Sequence, residues 1–213
     1  MKKLSVNIIM LICMIFSISA QKSKSSDEIL KDVSLKLAEG VEAEFTVSKV
    51  GEKNSISEQF SGSILIKGDK YYLNSPDFKI WYNGLDQWSY NISDDEVTVV
   101  EVSPIEENSF NIMSIINNQD KYDVRNFGTE TLLGKKYTKV VLTTRKPKGE
   151  IIFRKVTFLF NQNMMPHSMG VEDKNGENFI LLFTKAQINM KLTDNDFVFP
   201  RDQYKDAYFN DLR

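Results

Sequence analysis

Residues 61–102 read SGSILIKGDKYYLNSPDFKIWYNGLDQWSYNISDDEVTVVEV, and this stretch decides the fold. Apolar and polar residues alternate there over short runs, which is the period of a β-strand with one buried face. The runs are separated by SPD, NGLD and SDDE, which are rich in the residues that turns prefer. Short strands at such close spacing are typical of an antiparallel meander, because hairpins connect sequential neighbours.

The same alternation continues on both sides of this stretch. Upstream, EAEFTVSKV (42–50) and ISEQFSGSILIKG (56–68) flank a GEKN turn. Downstream, further runs predict strands: YDVRNFGTETL (122–132), YTKVVLTTR (137–145), IIFRKVTFLF (151–160), PHSMGVE (166–172) and ENFILLFTKAQI (177–188). Residues Asp196 to Phe199 are expected to form a last short strand. The sequence therefore predicts one long antiparallel sheet.

Two segments change from this period to a helical one. Ser25 and Glu28 have the spacing of a capping box, and a helix is predicted from about Asp27 to Glu39. Its apolar residues recur at helical spacing: Ile29, Leu30, Val33 and Leu37. The second segment, SFNIMSIINN (109–118), is apolar on most of its circumference, which indicates a short buried helix or an apolar lid. Helices and strands around one sheet predict a single α+β domain.

Residues 1–20 have the order of a secretory signal peptide. Two lysines precede a mostly apolar run, Leu4 to Ile18, which is followed by the small residues Ser19 and Ala20. Cleavage after Ala20 is expected, and the mature domain would then comprise residues 21–213. An uncleaved N-terminal anchor is the alternative.

Charge and cysteine content argue against several classes of function. Removing residues 1–20 takes away two of the 27 basic residues and none of the 29 acidic ones, so the net charge changes from −2 to −4. A negative balance argues against a phosphate-backbone partner, and no nucleic-acid binding is expected. Cys13, the single cysteine, would leave with the signal peptide, so neither a disulfide nor a cysteine metal site is expected.

The motifs of the common catalytic sites are missing from the sequence. His167 is the single histidine, and no Ser/His/Asp set surrounds it, so a packed or surface histidine is favoured over a general base or ligand. HExxH, GxSxG and glycine-rich phosphate loops do not occur. Asp94, Asp95 and Glu96 are adjacent at a predicted hairpin tip, where they keep a turn solvated. We therefore expect no catalytic residue, no metal, no cofactor and no enzymatic activity.

The apolar residues of the strands outnumber what one buried face requires. They form either the core beneath two helices or a curved sheet that closes over a ligand cavity, and composition does not choose between the two. Under the second interpretation, the ligand cavity comprises Phe45, Phe60, Ile64, Ile66, Tyr72, Ile80, Tyr82, Trp88, Tyr90, Phe158, Phe160, Met165 and Phe183. The lid over it comprises Ile29, Val33, Leu37, Phe110, Ile112, Met113 and Ile116.

The chain resembles the outer-membrane lipoprotein carrier proteins, the LolA-like family, in its Bacteroidetes-type form. The resemblance covers most of the mature chain and rests on FTVSKV (45–50), on residues 61–102, and on the ending DFVFPRDQYKDAYFNDLR (196–213). Within residues 61–102 the family pattern is a small-Gly strand, an aromatic strand and a hairpin with NG followed by W-x-Y. SFNIMSIINN stands where the family has its central lid helix.

This resemblance implies a fold, a function and a set of partners. The implied fold is a strongly curved antiparallel sheet, an incomplete β-barrel lidded by short helices, which encloses an apolar cavity for acyl chains. The implied protein is a monomeric periplasmic carrier that receives acylated lipoproteins from a LolCDE-type ABC transporter and delivers them to the outer membrane, with a possible acceptor there. The alternatives are a lipid- or lipoprotein-sensing module of the same fold and a hydrolase with an unrecognised site.

One position departs from the family pattern. After the strand GSILIK the family often has Arg-Pro, and the arginine helps to hold the lid closed. Here Lys67-Gly68-Asp69 stands instead, with Gly68 at the arginine position, so that latch is not carried over.

Overall fold

The computed structural model describes residues 24–52, 55–102, 112–145 and 153–213. Two α-helices lie in this part of the chain, α1 (Ser26–Ala38) and α2 (Ile112–Asn117). The strands are β1 (Val41–Val50), β2 (Ile56–Lys67), β3 (Lys70–Asn74), β4 (Phe78–Tyr82), β5 (Asp86–Asn91), β6 (Glu96–Glu101), β7 (Tyr122–Leu132), β8 (Lys135–Thr144), β9 (Phe153–Phe160), β10 (Pro166–Asp173), β11 (Asn178–Ile188) and β12 (Tyr208–Asp211). Short 3₁₀ helices lie at Gln119–Lys121, Asp194–Phe197 and Arg201–Gln203.

All twelve strands belong to one sheet, in the order β12-β6-β5-β4-β3-β2-β1-β11-β10-β9-β8-β7. Two meanders, β1 to β6 and β7 to β11, join where β1 pairs with β11. Every pairing is antiparallel except that of β12 with β6, which is parallel. The edge strands β12 and β7 do not pair with each other, so the sheet is an incomplete barrel.

The contacts of α1 show that this sheet is curved. The helix contacts both β2 and β7, which are six strand positions apart in the sheet. Six positions in a flat sheet span about 29 Å, because neighbouring strands lie roughly 4.8 Å apart. A helix of 13 residues is only about 20 Å long. The sheet therefore bends around α1, and we call the side that faces the helices the concave face.

Local sequence signals explain where α1 begins and ends. The Ser25 hydroxyl accepts a hydrogen bond from the Glu28 N–H, and the Glu28 carboxylate accepts one from the Ser25 N–H, which confirms the predicted capping box. Gly40, with φ of +91°, follows the helix in the left-handed conformation that glycine adopts without strain. The predicted apolar residues of α1 are all buried: Ile29, Leu30, Val33 and Leu37.

A second apolar cluster lies on the opposite, convex face of β3 to β6. It is built on Trp81, Val97 and Val99 and is covered by the segment after β11, of which Phe199 packs edge-on against Trp81 at 5.1 Å between ring centroids. Polar contacts fasten the same segment to the sheet: Lys67 Nζ donates to the Leu192 carbonyl oxygen at 2.7 Å, and Lys79 Nζ donates to the Tyr204 hydroxyl at 3.0 Å.

The C-terminal region departs from the sequence prediction. Asp196 to Phe199 were expected to form a strand, but the structure has a 3₁₀ helix at Asp194–Phe197, where the Asp196 carboxylate accepts hydrogen bonds from the N–H and hydroxyl of Thr193. The last strand is instead β12. A capping carboxylate three residues after a threonine favours a helical turn over an extended strand.

Two predictions concern residues outside the described part of the chain. The signal peptide, residues 1–20 with Cys13, is one of them, and the first part of the second predicted helix, with Phe110, is the other. Among the described residues no helix has the length and apolar character needed to cross a membrane.

Candidate functional site

The concave face carries a continuous apolar surface that α1 and α2 cover. Ten of the thirteen predicted cavity residues belong to it: Phe45, Phe60, Ile64, Ile66, Ile80, Tyr82, Phe158, Phe160, Met165 and Phe183. They come from both meanders, because strand pairing places Phe45 of β1 opposite Phe183 of β11 at the junction between them. The structure therefore brings residues more than 130 positions apart in the sequence onto one surface.

The predicted lid residues of the described helices all face this surface. Ile29, Val33 and Leu37 of α1 and Ile112, Met113 and Ile116 of α2 are buried in the same cluster as the sheet residues. In α2 the four apolar residues Ile112, Met113, Ile115 and Ile116 are all buried, which agrees with a helix that is apolar on most of its circumference.

Hydrogen bonds fasten α1 at both of its ends. At the start, Asn126 Nδ2 of β7 donates to the Lys24 carbonyl oxygen at 2.8 Å. At the end, the Gly68 N–H in the β2–β3 turn donates to the Leu37 carbonyl oxygen at 3.0 Å. A backbone amide at Gly68 thus contacts the helix at the position where the family pattern has an arginine. No residue type predicts this contact, since every residue but proline carries an amide N–H.

A small cavity lies between the described helices and the sheet. A cavity of about 10 Å³ lies under the end of α1, lined by Leu37, Val41, Ala43, Ile66, Ile112, Met165, Pro166, Phe183 and Ala186. A single water molecule needs roughly 10–15 Å³. The end of α1 therefore packs closely against the sheet at this cavity.

Part of the concave face is less completely covered. Phe60, Ile64, Leu73 and Ile80 pack against the core but are only partly buried. Phe60 contacts Phe45 and Phe78 through edge-to-face ring pairs at 6.0 and 5.6 Å. These side chains continue the apolar surface of the concave face on β2, β3 and β4.

Three predicted cavity residues lie on the convex face instead, which corrects their assignment. Tyr72, Trp88 and Tyr90 pack against the second cluster around Trp81. The reason is register: Tyr72 pairs with Trp81 and Trp81 with Trp88, whereas Leu73 pairs with Ile80. Since paired residues share a face and neighbours alternate, Tyr72 and Ile80 cannot both face the cavity.

The same register identifies concave-face residues that the sequence prediction missed. Tyr71 and Leu73 pair with Ile66 and Ile64, so they share the concave face with those two residues. The Tyr71 hydroxyl donates to Gln87 Oε1 at 2.8 Å, which satisfies its polar end beside the apolar surface. Pairing the predicted strands β2 and β3 across their tight turn would have found both residues.

The described residues offer little for catalysis or metal binding. Among them no group of three or more His, Cys, Asp or Glu side chains is placed to hold a metal ion. His167 lies flat against Tyr137, with ring centroids 4.4 Å apart and planes at 16°. Partial burial lowers the pKa of His167, and the positive charge of Lys135 lowers it further. The histidine thus packs against an aromatic ring on the convex side, away from the concave surface.

Comparison with known proteins identifies the family of the chain and solved structures of similar fold. The model of a family described as outer membrane lipoprotein carrier protein LolA matches residues 16–137. No curated protein matches the sequence.

Solved structures are similar over most of their length. An uncharacterized conserved protein from Thermus thermophilus is 15% identical, with a TM-score of 0.59 over 88% of this chain and 99% of that one. A LolA superfamily protein from Nitrosomonas europaea is 14% identical, with a TM-score of 0.46 over 83% of this chain and 99% of that one. LprF from Mycobacterium bovis is 13% identical, with a TM-score of 0.43 over 82% of this chain and 96% of that one. At such identities the first likeness shows the fold alone.

Proposed function

The chain belongs to the family of outer membrane lipoprotein carrier proteins LolA, and on this premise we propose that it is a periplasmic carrier for the acyl chains of lipoproteins. It would take lipoproteins released from the inner membrane and deliver them to the outer membrane. The acyl chains would lie between the concave face and the helices α1 and α2 that cover it.

The burial of α2 supports this proposal most directly. Its described apolar residues have almost no exposure, with Ile116 at 3% and Ile112 at 4%. Most of the stability of a helix in a folded protein comes from such apolar packing. Acyl chains offer α2 and the sheet the same kind of contact, so they would insert between the helix and the concave face and touch the apolar side chains of both.

The energetics of the cargo make such a carrier necessary. Each methylene exposed to water costs about 0.8 kcal/mol, so an acyl chain of roughly fifteen carbons costs on the order of 12 kcal/mol. The concave face is already covered by its own helices. The free energy of binding is therefore only the difference between the apolar contacts that the acyl chains make and the helix–sheet contacts that they disturb. Binding is then weak enough for release, because the displaced helices return when the cargo leaves.

The proposed partners follow from this task. A LolCDE-type ABC transporter would supply acylated lipoproteins, and a possible outer-membrane acceptor would receive them. The protein would act as a monomer after removal of residues 1–20, with residues 21–213 as one carrier domain, and it would catalyse no reaction and need no cofactor.

A substitution in α2 tests the proposal. Ile116→Asp places a charge against the concave face, and Ile116→Thr is a milder change at the same site. We expect the affinity for a fluorescent fatty-acyl probe, corrected for the folded fraction, to fall about tenfold or more, which corresponds to roughly 1.4 kcal/mol. Fluorescence titration and urea unfolding are measured on the same samples.

Val99→Thr is the matched control, since Val99 is equally buried but lies in the convex-face cluster. It should lower stability and leave the probe affinity of the folded molecules unchanged. If Ile116→Thr behaves in the same way as Val99→Thr, α2 is ordinary core and the carrier mechanism fails. Transfer of a lipoprotein from inner-membrane vesicles separates a carrier from a module that binds acyl chains without delivering them.

A further inference from the structure

The tip of the β7–β8 hairpin carries two leucines that the fold does not use. Leu133 is 96% exposed and Leu132 is 42% exposed. Leu133 also has φ of +49°, in the left-handed region that Gly, Asn and Asp adopt more readily than leucine. Neither burial nor turn geometry therefore accounts for a leucine at this position.

An open groove of about 680 Å³ lies directly beside this tip on the convex side. The β7–β8 hairpin lines one wall from Gly134 to Tyr137, and the β9–β10 turn lines the other with Asn161, Gln162 and Asn163. The first wall includes Lys135 and Lys136, and His167 lines the groove between the walls. None of the lining residues carries a carboxylate. The groove thus combines cationic side chains with neutral amides.

A β-bulge sets the position of His167 in this groove. Pro166 pairs with Phe160 and Ser168 with Leu159, so His167 is the extra residue between them. The irregularity lets both His167 and Ser168 lie on the convex side while Met169 stays buried in the core. His167 then stacks on Tyr137 and forms the floor of the groove.

We propose that this hairpin tip and groove form a docking surface for an anionic lipid bilayer. Leu132 and Leu133 would enter the apolar part of the interface, and Lys135 and Lys136 would contact lipid phosphates, because exposed leucines next to lysines complement an anionic bilayer in both polarity and charge. A soluble acidic partner would match the lysines but would leave the strained, exposed Leu133 unexplained.

The position of the tip in the fold suits this role. Strand register places the β7–β8, β9–β10 and β2–β3 turns at one end of the sheet, because Val41 at the start of β1 pairs with both Ile66 and Ile188. The small cavity under α1, with Met165 and Pro166, lies at this same end. A bilayer held at the hairpin tip therefore faces the end of the concave surface where Gly68 contacts α1.

Vesicle flotation of the mature protein tests the docking surface. We expect binding to vesicles that contain phosphatidylglycerol, weak binding to pure phosphatidylcholine vesicles, and loss of the difference as salt is raised. Leu133→Asn and the double change Lys135→Gln with Lys136→Gln should each lower the bound fraction about fivefold or more. Because Asn tolerates positive φ, the urea midpoint of Leu133→Asn should stay the same or rise, so a folding defect cannot explain the loss.

Matched controls lie at the opposite end of the sheet. Ile56→Asn removes an exposed apolar residue of β2, and Lys174→Gln removes an exposed lysine of the β10–β11 turn. Both should bind vesicles as the unchanged protein does. The docking surface is refuted if the unchanged protein does not bind anionic vesicles, or if the hairpin variants and the controls have the same bound fraction.

The fluorescent acyl probe separates this inference from the carrier function. Leu133 and the two lysines do not belong to the buried apolar cluster of the concave face, so their variants should keep full probe affinity. A protein that binds anionic vesicles through the hairpin but fails to bind the probe would refute the carrier function alone.

Discussion

The backbone of Gly62 in β2 lies too close to its neighbours for any side chain. A Cβ atom there would lie 2.2 Å from the Asn74 carbonyl oxygen and 2.9 Å from the ring of Phe45. Glycine is required by this close approach and not by an unusual φ angle. The missing side chain lets the Phe45 ring lie against the sheet, next to Phe60, on the candidate site.

His167 supplies a pH prediction at the same scale, because it is the single histidine of the chain. Partial burial lowers its folded-state pKa below the ordinary 6.5, and the positive charge of Lys135 lowers it further. The unfolded chain then binds a proton more readily than the folded one. The contribution of neutral His167 to the free energy of unfolding is therefore fully present above about pH 6.5, and it declines as the pH falls below that value. Urea unfolding at pH 7.5 and 5.5 should show lower stability at pH 5.5.

His167→Gln is the control for this pH effect. It removes the imidazole and should flatten the dependence between pH 5.5 and 7.5, since the carboxylates titrate mainly at lower pH. An unchanged slope in this variant would assign the effect to other groups.

At the scale of elements, α1 is a cover whose two ends are fastened independently of its apolar face. Its start depends on the Ser25–Glu28 capping box and on Asn126, and its end on Gly68. The helix can therefore lose one fastening and remain on the sheet.

Removing the cap tests the contribution of the first fastening. Ser25→Ala leaves the Glu28 N–H without its side-chain acceptor and should lower the free energy of unfolding by about 1 kcal/mol. Ser26→Ala is the control, because Ser26 is the first helical residue and alanine is the better helix former there. Equal midpoints in urea for the two variants would show that the cap does not stabilise α1.

At the scale of the whole molecule, one sheet separates two apolar clusters. The concave cluster lies under α1 and α2, whereas the convex one lies under the segment that leads to β12. Under the proposed function, this division would let the concave side bind a ligand while the convex side keeps β3 to β6 in place. The C-terminal segment packs on the convex side of the strands that carry part of the candidate site.

Phe199→Ala tests this separation. Phe199 is 6% exposed and contacts the rings of Trp81, Tyr204 and Phe209. Its truncation should lower the free energy of unfolding by about 3–5 kcal/mol, as for other buried phenylalanines. The acyl-probe affinity of the folded molecules should stay the same.

Tyr208→Ala is the matched control for the same segment, because Tyr208 is 67% exposed and should change stability by less than about 0.5 kcal/mol. A probe affinity that falls together with stability in Phe199→Ala would show that the two faces are coupled.

The sequence by itself determined most of the elements up to β11 and most of the concave surface. The predicted limits of β7 agree with the structure at both ends, and the Ser25–Glu28 cap was read correctly, because strand period, turn residues and caps act over a few neighbouring residues. Ten of the thirteen predicted cavity residues share the concave face for the same reason. Within each strand, every second residue lies on the same face, so one correctly assigned residue also assigns the others of its strand.

Only the tertiary structure decided which face each strand presents and how the helices are held. Tyr72, Trp88 and Tyr90 belong to the convex cluster because the register of β3, β4 and β5 places them opposite Trp81 and its neighbours. The parallel pairing of β12 with β6 and the contact of Gly68 with Leu37 join segments far apart in the chain. Backbone groups make these contacts. Since every residue but proline carries the same backbone groups, the residue type does not predict them.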